Sequence, residues 1–123
     1  MSKLIVLIAI ASIGLSAVGQ ILMKMGMSAP EVQSALSPLS PASVTAILAS
    51  LPVWGGLLAY GASAVIWLYV LSRIDVSLAY PMVSLGFVLV LLLSAVVLKE
   101  PLSTPRIAGV LFIVAGVVMV GRS

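Results

Sequence analysis

The stretch LIVLIAIASIGLSAVGQILM, from Leu4 to Met23, is an uncharged run of 20 residues. A helix of about 20 apolar residues covers the roughly 30 Å hydrocarbon core of a bilayer. Within the run Ser12, Ser16 and Gln20 recur at every fourth position, and Lys24 continues the series just beyond it. The run therefore predicts a membrane-spanning helix with a polar stripe along one face.

Polar side chains at membrane depth normally face the interior of a helix bundle or a watery cavity, because lipid cannot satisfy their hydrogen bonds. No acidic residue shares the stripe. We therefore expect Ser16, Gln20 and Lys24 to line a pathway or to contact a partner. For Lys24 an alternative stays open, in which a lysine at a helix end extends its ammonium to the headgroup region.

The whole chain has a membrane composition, with 63% hydrophobic and 7% charged residues among 123 and a mean hydropathy of +1.35. We predict an all-α membrane protein in which four transmembrane helices form a single domain and both termini lie on the same side. Prolines interrupt the long uncharged segment before the second span, so we expect that segment to lie along the interface. The predicted spans cover residues of about 4–26, 53–72, 76–98 and 105–121, and the interfacial loop covers about 28–52.

The residue types that are absent exclude several functions. The chain contains no Cys and no His, so it offers no disulfide, no thiolate or imidazole metal ligand and no histidine proton relay. We expect no enzyme activity, no metal and no cofactor. The formal charge of +3 does not indicate nucleic-acid binding, because the six basic residues lie at predicted helix ends, three towards each side of the membrane. This even division also leaves the orientation unpredicted.

The second and third spans each carry a face of hydroxyl, aromatic and small residues at helical spacing. Such a face can pack helices together through its small residues, or it can line a cavity suited to sugars or cations. Both interpretations stay open on the pattern alone. The first face consists of Gly56, Tyr60, Ser63 and Trp67, and the second of Tyr80, Ser84, Phe87 and Ser94.

The fourth span, GVLFIVAGVVMVG, has no polar side chain and places Gly109 and Gly116 seven residues apart, with Phe112 close by on the helix. Small residues let helix backbones approach closely in a bilayer. The Gly109, Phe112 and Gly116 face is therefore a candidate dimer interface, with packing inside one chain as the alternative.

The run from Asp75 to Gly121 resembles the second half of a four-helix unit of the drug/metabolite transporter superfamily. It shares an apolar helix that ends in an acidic residue and a proline, Glu100 and Pro101, followed by a glycine-containing final helix. This pattern is similar to EamA-type and small multidrug resistance proteins. The segment AVGQILMKMG, residues 17–26, resembles their first helix and its lysine, which falls on Lys24.

One position departs from the small multidrug resistance pattern. Those proteins carry a coupling glutamate where this chain has Ser16, and a serine hydroxyl does not titrate in the physiological range. Proton-coupled export of lipophilic cations is therefore not implied. The chain is more similar to the aminoarabinose-phosphoundecaprenol flippase subunits, small four-helix members of the superfamily that lack the glutamate.

This resemblance implies a bacterial inner-membrane transporter subunit that flips a polyprenyl-phosphate glycolipid, serves lipopolysaccharide modification and forms a homo- or heterodimer with a similar subunit. A small-solute or drug exporter and a non-transporting assembly subunit are the alternatives. Charged residues at the tight connections, Arg73, Asp75 and Glu100, are candidates for an ion pair or a gate. The expected substrate-binding residues are Ser16, Gln20, Lys24, Tyr60, Ser63, Trp67, Tyr80 and Ser84.

Overall fold

The computed structural model describes residues 3–123, and within this range the chain consists of helices and connecting turns with no strand. Four stretches are long and apolar enough to cross a membrane, namely Lys3–Met27, Leu51–Leu71, Val76–Val96 and Thr104–Gly121. For the described residues, the prediction of an all-α membrane protein with four transmembrane helices is confirmed. The helices are α1 (Lys3–Met27), α2 (Pro30–Leu36), α3 (Pro41–Leu48), α4 (Leu51–Leu71), α5 (Val76–Val83), α6 (Leu85–Val96) and α7 (Thr104–Gly121).

Prolines mark the beginnings of four helices. Pro30, Pro41, Pro52 and Pro105 occupy the first or second position of α2, α3, α4 and α7. A proline is well placed there, because the first N–H groups of a helix have no partner inside the helix and the fixed φ of the ring already suits a helix.

The segment between the first two spans folds into α2 and α3, which contact each other. The Ser43 hydroxyl donates to the Ala35 carbonyl at 2.5 Å and accepts the Ser40 N–H at 3.1 Å, so one side chain links the two helices and caps α3. The indole N–H of Trp54 donates to the Leu48 carbonyl at 2.7 Å and joins α3 to α4. Helices of 7 and 8 residues are too short to cross a bilayer.

The third candidate span, which the sequence predicts over about 76–98, is divided at Ser84 into α5 and α6. Pro81 lacks an N–H, and its ring crowds the carbonyl four residues earlier. The Ser84 hydroxyl donates to the Pro81 carbonyl. Val83 and Gly86 lie on either side of this break, and both line the cavity described below.

α1 and α4 approach each other closely where Gly19 and Gly56 meet. A Cβ atom at Gly56 would lie 2.6 Å from the Gly19 carbonyl oxygen, and a Cβ atom at Gly19 would lie 2.8 Å from the Gly56 carbonyl oxygen. About two helical turns along the same contact, the Ser12 hydroxyl donates to the Ser63 carbonyl at 2.7 Å. Gly56 therefore packs the two helices together, as small residues do where lipid gives no hydrophobic drive.

Burial is concentrated in α1 and is absent from α7. The buried cluster joins Ile5, Ala9 and Ile13 of α1 with Val70 of α4 and Met82 of α5. Among the 18 consecutive residues that form the most apolar stretch of α1, 39% are buried, whereas none are buried in the corresponding stretch of α7. α7 contacts α5 and α6 and leaves an extensive apolar surface uncovered by the described chain.

Candidate functional site

Three adjoining cavities follow the polar stripe of α1, and we name them together the α1 groove. The central cavity has a volume of about 590 Å³. It shares Ser16 and Tyr60 with an aromatic cavity of about 250 Å³, and it shares Gln20 and Glu100 with a lysine cavity of about 310 Å³. From Ser12 to Lys24 the stripe extends roughly 18 Å at the helical rise of 1.5 Å per residue. The groove therefore spans a large part of the bilayer thickness.

The aromatic cavity offers rings and hydrogen-bond donors. Tyr60, Trp67 and Tyr80 line it. Among the described residues the two phenol hydroxyls and the indole N–H have no hydrogen-bond partner. Unpartnered donors beside aromatic rings suit a sugar, whose hydroxyls accept hydrogen bonds while its C–H faces pack on rings.

Two serines of this cavity, Ser16 and Ser63, use their hydroxyl protons within their own helices. The Ser63 hydroxyl donates to the Tyr60 carbonyl at 2.6 Å, and the Ser16 hydroxyl donates to the Ile13 carbonyl at 2.7 Å. Their oxygens can still accept a hydrogen bond from a ligand. Ser63 is also buried in the contact between α1 and α4. Its position serves helix packing and the cavity at the same time.

The other end of the groove is charged. Lys24 and Glu100 line the lysine cavity, and Glu100 and Arg106 line the central cavity. Within residues 3–123 the Lys24 ammonium, the Glu100 carboxylate and the Gln20 amide have no hydrogen-bond or ion-pair partner. The Arg106 guanidinium donates to the Pro101 carbonyl at 3.1 Å. This end therefore offers one cation in each of two adjoining cavities, and ammonium and guanidinium groups are the side chains that bind phosphate.

Three predicted site residues lie outside the α1 groove. Ser84 lies at the break between α5 and α6 and is not among the lining residues. Arg73 lies beside Tyr69, with its guanidinium carbon 5.4 Å from the ring centroid. Asp75 is the residue that precedes α5. The structure thus brings Glu100, but neither Arg73 nor Asp75, to the stripe of α1.

The predicted dimer residues lie on the uncovered surface of α7. A Cβ atom added at Gly109 or Gly116 would meet no heavy atom within 4 Å. Phe112 is 79% exposed. Neither glycine therefore serves a close contact inside the described chain.

Several lining residues are not among the predicted site residues, and the polar ones are Ser12, Ser94 and Arg106. Arg106 is one of the six basic residues at the predicted helix ends, and Ser94 belongs to the mixed face of the third span. The short connection between Glu100 and Pro105 was the available signal for Arg106, because it keeps the start of α7 near the end of α6. Among the described residues no group of three or more His, Cys, Asp or Glu side chains could hold a metal ion.

Comparisons with known proteins agree on a transporter. The model of the EamA-like transporter family matches residues 35–122. A protein of Pseudomonas aeruginosa strain UCBPP-PA14 named "probable 4-amino-4-deoxy-L-arabinose-phosphoundecaprenol flippase subunit ArnE" is 49% identical over 79 residues, covering 64% of this chain and 69% of the relative. A protein of the same name from Sodalis glossinidius strain morsitans is 48% identical over 65 residues, covering 53% of this chain and 59% of the relative. Comparison with solved structures gives no significant match.

Proposed function

This chain belongs to the EamA-like transporter family, and from that membership we propose that it is a subunit of a flippase for a polyprenyl-phosphate-linked amino sugar. The observation that carries the proposal is a continuous groove with unpartnered aromatic donors at one end and cations at the other. The relatives named as flippase subunits for an amino-sugar phosphoundecaprenol support the substrate class. Such transport moves a headgroup between leaflets and requires no covalent step.

In this proposal each part of the groove contacts one part of the lipid. Lys24 binds the phosphate, because moving an anion through a low-dielectric region requires a compensating positive charge. Gln20 and Ser16 provide polar contacts at one-turn intervals along α1. Tyr60, Trp67 and Tyr80 contact the sugar or the isoprenoid chain.

We place the transporter in the bacterial inner membrane as a multi-pass protein. All four candidate spans are helical, and the segments that cross the outer membrane are characteristically strands of closed barrels. The relatives named above come from bacteria. With four crossings, both termini lie on the same side of the membrane.

We further propose that two chains, identical or similar, assemble through α7. Phe112 and the glycine notches at Gly109 and Gly116 offer a shaped apolar surface that no described residue covers. In a bilayer such notches let a second helix approach closely and gain van der Waals contact. Four helices are few to enclose a lipid headgroup, and a second chain would supply further helices around the pathway.

The proposed function is tested in vesicles made from the native membrane, which retain any partner subunit. We expect vesicles that contain this chain to expose labelled amino-sugar lipid to a membrane-impermeant amine reagent within minutes. Vesicles from a strain lacking the chain should expose it only slowly, and re-expression should restore the fast phase. Equal rates with and without the chain would refute the flippase proposal.

For assembly we expect Gly116→Leu to weaken association of two chains, because a branched side chain would hold the backbones apart and forfeit about 1 kcal/mol or more. The measurement is disulfide crosslinking of single cysteines placed in turn at Val110, Ile113 and Val117 in this cysteine-free chain. Gly121→Leu is the control, because Gly121 lies about 140° around the helix from Gly116. If Gly116→Leu crosslinks like the parent, the interface lies elsewhere.

A further inference from the structure

Glu100 lies where the central and lysine cavities meet, and it lines both of them. It is the only carboxylate among the residues that line these two cavities. The chain's other two acidic residues lie elsewhere, with Glu31 in α2 and Asp75 before α5. Among the described residues, Glu100 is therefore the one acidic side chain that a ligand in these two cavities would meet.

The backbone fixes Glu100 at this position. Lys99 has a φ of 56°, in the left-handed region that a residue with a Cβ seldom adopts. The Glu100 N–H donates to the Ser94 carbonyl at 3.1 Å, and Pro101 follows with its restricted φ. Strained backbone persists where the surroundings hold it, and such places are often functional.

No group of the described chain neutralises the Glu100 carboxylate. One cation lines each of these cavities, Arg106 of α7 the central cavity and Lys24 of α1 the lysine cavity. The Arg106 guanidinium donates to the Pro101 carbonyl, and neither Lys24 nor Glu100 has a partner among residues 3–123. The carboxylate is therefore available to a ligand.

A free carboxylate beside the pathway of a phosphate is unfavourable for a purely anionic ligand, because like charges repel more strongly in a region of reduced dielectric. The same carboxylate is favourable for a headgroup that carries both a phosphate and an ammonium group. The cations would then bind the phosphate, and the carboxylate would accept charge-assisted hydrogen bonds from the ammonium.

We propose that Glu100 is the specificity-determining residue of the groove, which selects a zwitterionic amino-sugar phosphate over the same headgroup without a charged amine. This inference rests on the proposed function, which supplies the amino-sugar lipid as the ligand. A neutral, acylated amine would leave the carboxylate desolvated and unpaired. A ligand that leaves a polar group of the site buried without a partner is rejected more strongly than a ligand that only lacks an apolar contact.

The test uses the full chain in lipid nanodiscs and two probes. The first is 4-amino-4-deoxy-L-arabinose linked through phosphate to a short polyprenyl chain, and the second is the same lipid with its amine acetylated. We expect the parent to bind the first probe about tenfold more tightly than the second. Glu100→Gln should remove most of this preference, because it weakens binding of the first probe and relieves the charge repulsion on the anionic second probe. Glu100→Asp should retain part of the preference.

Glu31→Gln is the matched control, because it makes the same chemical change outside the groove, and it should keep the parent's preference. If Glu100 only holds the turn after α6, Glu100→Gln will weaken both probes alike and leave their ratio unchanged, which would overturn the proposal. A parent without preference would also overturn it. The two proposals can fail independently. Slow flipping in native-membrane vesicles that contain the chain would refute the flippase proposal, even if the chain in nanodiscs binds the first probe more tightly than the second.

Discussion

Lys24→Ala is expected to reduce transport of the amino-sugar lipid at least about tenfold, which corresponds to about 1.4 kcal/mol in the barrier. Lys24 is the cation of the lysine cavity and has no partner among the described residues. Without Lys24, the phosphate would pass this part of the groove without the positive charge that offsets the cost of moving an anion through a low-dielectric region. The rate is measured in native-membrane vesicles with the amine-reactive assay.

The stability of the protein should change little, because the Lys24 side chain is exposed at the end of α1 and makes no contact that holds the fold. Lys3→Ala is the control, since it removes a lysine from the other end of the same helix, outside the groove. Lys24→Arg should restore part of the rate, because it keeps the charge with a different geometry. A parent-like rate in Lys24→Ala would show that Lys24 only reaches the headgroup region.

Gly56→Ala is expected to destabilise the fold by about 1–3 kcal/mol, the usual cost of forcing extra volume into a filled contact. The added Cβ would lie 2.5 Å from the Met23 Cγ, 2.6 Å from the Gly19 carbonyl oxygen and 2.8 Å from the Met23 backbone nitrogen. Two of these three atoms belong to the α1 backbone and cannot move independently. The helices must therefore separate, and the loss is measured as a lower unfolding midpoint in detergent.

Gly61→Ala is the matched control on the same helix, because a Cβ at Gly61 would meet nothing within 4 Å. Alanine is a better helix former than glycine by about 1 kcal/mol, so this variant should be as stable as the parent or more stable. The two substitutions add the same methyl group, but the change in the free energy of unfolding should be negative for Gly56→Ala and zero or positive for Gly61→Ala. If Gly56→Ala unfolds at the parent's midpoint, the close approach of α1 and α4 does not stabilise the protein.

Several features of the fold follow from residues that are close in sequence. Long uncharged runs are sufficient to predict four helical spans, because burying twenty apolar residues in lipid outweighs any tertiary preference. The four-residue spacing of Ser12, Ser16, Gln20 and Lys24 predicts a polar stripe, because the period of a helix is a local property. The proposed site also follows this stripe, since the α1 groove is lined by the same four residues.

Other features depended on which helices meet. On the mixed face of the second span, Gly56 packs against α1, whereas Tyr60 and Trp67 line the aromatic cavity. This difference in role follows from where α4 crosses α1, and the sequence pattern does not show it. Likewise, the Ser84 and Ser94 hydroxyls both donate to a carbonyl three residues earlier, and only the packing of the helices places Ser94 in the groove and Ser84 outside it.

By itself, the sequence determined the helical class, the number of apolar spans and the polar face of α1, because each depends on composition and periodicity within one segment. The tertiary structure alone decided that Glu100 and Arg106, from the connection after α6 and the start of α7, lie beside the stripe of α1. It also decided that Gly19 meets Gly56. The physical reason is that such contacts join residues far apart in the chain, and the close approach of two helix backbones depends on the surfaces of both helices.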